Sequence, residues 1–89
     1  MKDEMQYTTS DQVSAVQLED GAVLLDLRTG RHFSVNPVGA TLWQRLDQGP
    51  ATRTELSAAL REVFDVEETR LSSDLDHWLD LLRRADLIH

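Results

Sequence analysis

One segment, residues 20–43 (DGAVLLDLRTGRHFSVNPVGATLW), constrains the fold more than any other part of the chain. It combines two turn signals, Asp-Gly and Arg-Thr-Gly, with apolar residues at strand spacing, and then reaches Asn36-Pro37, a favoured start for a helix. The last strand of this segment, Arg31 to Val35, is short and leads directly into that helix. We expect it at the edge of a sheet, where unpaired N–H and C=O groups can accept another chain as the next strand. Capture of an extended peptide is therefore the first functional hypothesis.

The two turns together predict the register of a three-stranded antiparallel meander over residues 12–36. One turn is a loop of Arg28-Thr29-Gly30 with Gly30 in the left-handed conformation, and the other is a two-residue loop at Asp20-Gly21. The facing pairs that follow are Leu27 with Arg31, Leu25 with Phe33, Val23 with Val35, Leu18 with Val23, and Val16 with Leu25. Every strong apolar residue except Leu24 then shares one face, which we expect to be buried. Asp26 falls opposite His32 on the other, wetter face.

Capping signals divide the rest of the chain into three helices. Asn36 caps the first helix, which runs from Pro37 to about Asp47. Thr52 opens the second helix, and Glu55 three residues later completes a capping box. The third helix begins near Glu67 or Glu68 and runs to about residue 85. The order β-β-β-α-α-α predicts an α+β fold with the helices packed on one face of the sheet.

The composition narrows the functional classes. The 89 residues make one small domain, residues 12–89, preceded by a polar and flexible N-terminus at residues 1–11. Cysteine is absent, and there is no signal-peptide core and no membrane span, which is typical of a cytoplasmic protein without disulfides. The formal net charge of −7 opposes nucleic-acid binding, which requires a basic surface. A winged-helix DNA binder would share this topology, but the last helix has more acidic than basic residues.

No catalytic or metal-binding pattern is present in the sequence. His32, His77 and His89 are far apart and lack metal-ligand spacing. Ser72 and Ser73 have no nucleophile-elbow setting, and there is no glycine-rich phosphate loop. The sequence therefore predicts neither enzymatic activity nor a cofactor.

The last helix has a wider apolar face than a small core requires. Its central stripe, about 80° wide at 100° per residue, consists of Leu71, Leu75, Trp78, Leu82 and Ala85. Leu79 lies roughly 80° to one side of the stripe and Leu81 roughly 80° to the other, with Asp74 on the Leu81 side. Two interpretations stay open. Either both flanks are buried and Asp74 is solvated, or Trp78, Leu81 and Asp74 line a groove beside the edge strand.

Three stretches of the chain resemble the PqqD family, small domains also called RiPP recognition elements. They are residues 21–43 (GAVLLDLRTGRHFSVNPVGATLW), 47–56 (DQGPATRTEL) and 74–82 (DLDHWLDLL). The resemblance extends over residues 12–88, and the LLDLRTGR hairpin is most similar to that of the discrete leader-binding protein of bacterial lasso-peptide biosynthesis. It implies a winged-helix-like fold and a non-catalytic function, the binding of the leader segment of a ribosomally made precursor peptide.

The resemblance also implies where the leader binds. In the family, the leader adds as a strand to the third β-strand and lies against the third helix, where the helical wheel independently suggests a groove. The residues at these positions are Arg31, His32, Phe33, Ser34 and Val35 on the strand and Asp74, Leu75 and Trp78 on the helix, and the helical wheel adds Leu81. Leu42 and Trp43 match apolar positions that we expect in the core. Asp86 stands where relatives often have glycine at the end of the helix.

The implied partners are the leader peptide, a separate cysteine-protease-like leader peptidase to which the domain would present the precursor, and an ATP-dependent cyclase. An alternative from another class is a homodimerising adaptor, in which two copies of the chain pair along the same edge strand.

Overall fold

The computed structural model describes residues 5–89 and has an α+β architecture, as the sequence predicts. The elements in chain order are β1 (Gln6–Tyr7), β2 (Val13–Leu18), β3 (Gly21–Asp26), β4 (His32–Val35), α1 (Pro37–Asp47), β5 (Ala51–Thr52), α2 (Arg53–Val63) and α3 (Glu68–Arg84). The three-stranded meander and the three helices are confirmed, and the two-residue strands β1 and β5 are additions. Among the described residues, no helix is long and apolar enough to cross a membrane.

The meander is antiparallel with strand order β2-β3-β4, so β3 is central and β2 and β4 are the edges. Its register differs from the predicted one at both turns. At the first turn, Leu18 faces Gly21 across a two-residue loop, 19–20. At the second turn the loop has four residues, 27–30, instead of three, so Leu24 rather than Leu25 faces Phe33. The β3–β4 pairing is therefore shifted by one residue from the prediction, and that shift exchanges the faces of β3.

The predicted buried face was therefore wrong for β2 and β3, whereas Phe33 and Val35 of β4 lie on the inner face as predicted. Ala22 and Leu24 lie in the core with 1% and 0% exposure, whereas Val16, Leu18 and Leu27 are 58%, 55% and 60% exposed. The strands carry apolar residues on both faces, so counting them does not decide which face packs against the helices. Small Ala22 on the inner face allows α1 to approach the sheet closely, and the outer face keeps an apolar surface open to solvent.

Asp26 also lies on the inner face, opposite to the prediction, and is 3% exposed. The Asp26 carboxylate accepts hydrogen bonds from the Arg28 backbone N–H and from the Arg28 guanidinium. A buried carboxylate with such partners is tolerated where an unpaired one is not.

Two glycines of the meander have positive φ. Gly30 has φ +78°, the left-handed conformation that the sequence predicts for it. Gly21 has φ +147° and begins β3 rather than forming the turn, and a Cβ there would collide with the carbonyl of Val35. Glycine at position 21 is therefore required by the close approach of the end of β4.

The helices begin as their capping signals predict. The Asn36 side chain accepts a hydrogen bond from the Gly39 N–H, and both bonds of the Thr52–Glu55 capping box are present. The core between the sheet and the helices includes Leu42 and Trp43, as expected, with 0% and 2% exposure.

The sequence predicts a flexible segment over residues 1–11, but residues 6–10 are hydrogen-bonded to the rest of the fold. Residues 6–10, here called the N-terminal strap, pair with β5 on one stretch and with the C-terminal residues 87–89 on the next. The Thr8 N–H donates to the His89 carbonyl, and the His89 N–H donates to the Thr8 carbonyl. The same expectation for residues 1–4 lies outside the described residues.

Candidate functional site

Strand β4 is paired on one side only, with β3, among the strands of residues 5–89. Its side chains alternate along the strand: His32 and Ser34 are exposed, Phe33 is half-buried and Val35 is buried. The predicted edge strand is therefore present, and it leads into α1 through the capped Asn36.

The ladder between β3 and β4 determines which backbone groups are left unpaired at this edge. The Asp26 N–H donates to the Arg31 carbonyl at 2.8 Å, so Arg31 and every second residue after it turn their polar groups toward β3. The N–H and C=O groups of His32 and Ser34 therefore point away from the sheet. Their spacing of two residues is the spacing that an incoming strand requires.

An aromatic surface with a positive charge lies at the start of β4. The Arg31 guanidinium carbon is 5.2 Å from the centroid of the Phe33 ring, a cation–π distance. Arg31 is exposed and Phe33 is half-buried, so this end of the edge strand offers both an apolar face and a cation to a ligand.

Helix α3 provides the second wall of the candidate site. Trp78, Leu81 and Asp74 are half-buried. A Cβ on Gly39 would lie 2.9 Å from the Val35 Cβ and 3.2 Å from the Trp78 Cε2, so the α1 glycine lets the Trp78 ring approach the end of β4. We call the surface formed by residues 31–35 together with Asp74, Trp78 and Leu81 the β4–α3 surface.

Leu75, which the resemblance places in the leader-binding site, lies in the core. Its side chain is 0% exposed and belongs to the core, so it cannot line the β4–α3 surface without a rearrangement of the helix. It supports this surface from behind. The Val35 side chain is 6% exposed, so a ligand beside it would contact the backbone of the neighbouring residues instead.

Sequence reasoning missed one contact near this surface. The Arg28 Nη2 atom donates to both the Asp26 carboxylate and the carbonyl of Asp86, at 3.3 Å each. The hydrogen bond from Arg28 lowers the pKa of the Asp26 carboxyl below its ordinary value, so this group is ionised at neutral pH. Asp86 has φ +63°, the left-handed conformation of a helix C-cap, which explains why glycine suits this position. The Asp-x-Arg spacing was the only signal in the sequence.

A surface cavity of about 490 Å³ adjoins this contact, lined by Ser10, Asp11, Gln12, Arg28, Asp86, Ile88 and His89. None of its lining residues belongs to the β4–α3 surface. The described part of the chain contains no group of three or more His, Cys, Asp or Glu side chains that could hold a metal ion.

Residues 21–88 match the model of the family described as coenzyme PQQ synthesis protein D (PqqD), and the chain belongs to this family. It is a PqqD-like RiPP recognition element. No curated protein sequence matches the chain.

Two solved structures share its fold. TbiB1 in complex with the TbiA(beta) leader peptide is 29% identical, with a TM-score of 0.79, over 92% of this chain and 94% of that one. Lasso peptide synthetase B1 complexed with the leader peptide is 25% identical, with a TM-score of 0.76, over 96% of this chain and 99% of that one. The chain is thus similar over nearly its whole length to proteins that were solved with leader peptides.

Proposed function

We propose that this chain binds the leader segment of a ribosomally made precursor peptide, which adds as a strand to β4 and lies against α3. The observation that carries the proposal is the unpaired edge of β4 together with the half-buried Trp78, whose ring approaches the end of that strand. The two similar structures, each solved with a leader peptide, support the same ligand class.

Backbone pairing and side-chain contacts have separate tasks in this proposal. The outward N–H and C=O groups of His32 and Ser34 supply hydrogen bonds that any extended peptide can use. Phe33, Trp78 and Leu81 supply apolar contacts that select among peptides, and an aromatic or proline side chain of a leader fits such a surface. Arg31 and Asp74 add a cation at one end and an anion at the other.

We also propose that the domain is a non-catalytic member of a lasso-peptide pathway in the bacterial cytoplasm. It would hold the precursor by its leader, present it to a cysteine-protease-like leader peptidase, and hand the core to an ATP-dependent cyclase. No cofactor is needed for this task, because binding alone positions the precursor.

The outer face of the sheet is a suitable surface for the peptidase. Val16, Leu18 and Leu27 are exposed on that face, and apolar surface of this kind marks protein interaction sites. The face lies across the sheet from the core, so a leader on the edge of β4 leaves it open. A Val16→Lys variant should keep its leader affinity and lose peptidase-dependent cleavage of the precursor. Unchanged cleavage would remove this face from the peptidase interaction.

A binding titration tests the central proposal. The probes are the fluorescein-labelled leader peptides of the two similar complexes, the TbiA(beta) leader peptide and the leader peptide bound to lasso peptide synthetase B1. We expect saturable one-to-one binding that an unlabelled leader reverses. If neither probe binds, and sedimentation shows a dimer that added leader does not dissociate, the homodimerising adaptor is the correct interpretation.

A further inference from the structure

Asp26 is the one buried charged side chain in the part of the chain that the structure describes, with 3% exposure. It lies on the inner face of β3, in line with Ala22 and Leu24. Burial of a carboxylate opposes folding unless hydrogen bonds compensate for the lost water. A carboxylate at this position therefore calls for an explanation beyond core packing.

The local turn explains only part of the arrangement. An Asp26 carboxylate oxygen accepts the Arg28 backbone N–H at 3.0 Å, which is a common way to stabilise a turn. The turn does not require the Arg28 guanidinium. That group reaches both carboxylate oxygens, and its Nη2 atom also donates to the Asp86 carbonyl, 58 residues away in sequence.

This contact joins the two walls of the β4–α3 surface at one end. Arg28 lies in the loop between β3 and β4, four residues before β4 begins, and Asp86 lies two residues after the end of α3. At the other end of the surface, the Trp78 ring and Val35 approach each other on either side of Gly39. Helix α3 therefore runs antiparallel to β4, and the outward groups of His32 and Ser34 lie between the two tied ends.

We propose that Asp26 and Arg28 are positioning residues that hold the end of α3 at a fixed distance from the start of β4. The inference rests on the proposed leader-binding function, which it deepens. Asp26 orients the guanidinium, and the guanidinium fixes the Asp86 carbonyl, to which the Ser10 hydroxyl also donates at 2.7 Å. The spacing of strand and helix decides whether one peptide can pair with β4 and contact Trp78 and Leu81 at the same time.

The test compares two arginines of equal exposure that bind opposite ends of α3. Arg28 and Arg61 side chains are 46% and 47% exposed, and Arg61 pairs with Glu68 at the start of α3, away from the leader-binding surface. Apparent affinity falls in proportion to the fraction of molecules in which α3 and β4 have the spacing that the leader requires. If loss of the Arg28 contact reduces that fraction to about one in ten, Arg28→Gln weakens leader affinity about tenfold. Arg61→Gln should leave the affinity for the fluorescein-labelled leader unchanged. Arg28→Lys, which keeps one donor, should restore part of the loss.

A second measurement needs no ligand. Residual dipolar couplings of backbone amides report the orientation of α3 relative to β3 and β4. We expect Arg28→Gln to change this orientation and Arg61→Gln to preserve it. If Arg28→Gln does not fold, Arg28→Lys and Asp26→Asn give the same comparison.

The outcomes separate this inference from the proposed function. If the wild-type protein binds no leader, the proposed function fails, while the couplings still report on the spacing. If the wild-type protein binds and both glutamine variants bind equally well with unchanged couplings, Asp26 and Arg28 only stabilise the turn.

Discussion

The two flanks of helix α3 start from similar sequence and end in different environments. On one flank Leu79 is 5% exposed, and it lines a small cavity together with Tyr7 of the N-terminal strap. On the other flank Leu81 and Asp74 are half-buried, and the Trp78 ring beside them packs near Gly39 and Val35 at the end of β4. Within residues 5–89, one flank of the helix is thus covered by the strap and the other stays partly exposed.

The difference shows that amphipathicity alone does not identify a binding surface. The helical wheel places Leu79 and Leu81 symmetrically about the central stripe. The strap breaks that symmetry, since residues 6–10 pair with β5 and the C-terminus beside the Leu79 flank. The other flank is the candidate site because Leu81 and the adjacent Trp78 stay half-buried there, whereas Leu79 is buried beside the strap.

Truncation of the two flank leucines should give opposite results. Leu79→Ala removes a fully packed side chain and should lower the free energy of unfolding by about 2–5 kcal/mol. Leu81→Ala should cost roughly 1 kcal/mol of stability, because its side chain is half-buried, and should weaken leader binding instead. Urea unfolding and leader titration of both variants check this. Equal effects of the two variants on binding would contradict the distinction between the flanks.

Trp78 should be the residue on which binding depends most. Trp78→Ala should weaken leader binding by about 1–3 kcal/mol if its ring contacts the peptide, as interface aromatics often do. The ring also packs against Gly39, so circular dichroism must first show that the variant is folded. A folded Trp78→Ala protein with wild-type affinity would exclude Trp78 from the site.

A substitution of Asp86, just after α3, should stabilise the protein. Asp86 adopts φ +63°, which is strained for any residue with a Cβ, and it turns the chain toward the residues that pair with the strap. Asp86→Gly should raise the free energy of unfolding by about 0.5–1 kcal/mol, and it keeps the carbonyl that accepts from Arg28. Asp86→Ala is the matched control, since it removes the same charge but keeps the Cβ, and it should give no gain. A gain from both variants would point to the charge rather than the backbone.

Asp74 should have the smallest effect. It is half-buried at the surface, so Asp74→Asn should leave the free energy of unfolding nearly unchanged, within about 0.5 kcal/mol. It should reduce leader affinity modestly, because a carboxylate at the edge of the β4–α3 surface can accept a hydrogen bond from the peptide. Isothermal titration of the two proteins would show equal affinities if Asp74 is merely solvated.

Local signals predicted the helices well and the sheet register poorly. The caps at Asn36 and Thr52 correctly predicted where α1 and α2 begin, and α1 has the predicted bounds. A cap can be predicted from the sequence because it is a contact between residues a few positions apart. The register depends on which sheet face packs on α1, and both faces carry apolar residues. Leu24 was therefore assigned to the wrong face, together with Asp26.

The candidate site stays a prediction, but the elements that form it could be predicted from the sequence. The burial of single residues on those elements depends on distant contacts. The edge strand and the Leu81 flank followed from turn signals and helical spacing. Burial of Leu75, covering of Leu79 by the strap and the contact of Arg28 with Asp86 join segments far apart in sequence. Nothing in the local pattern of any one segment indicates such contacts.

The central claim is that a leader peptide becomes the strand beside β4, and amide hydrogen exchange tests it most directly. In the free protein, the N–H groups of Phe33 and Val35 point toward β3, whereas those of His32 and Ser34 point outward. Addition of leader peptide should slow exchange at His32 and Ser34 strongly, with little change at exposed amides of α2. If leader binds and the His32 and Ser34 amides exchange as fast as before, strand addition to β4 is wrong.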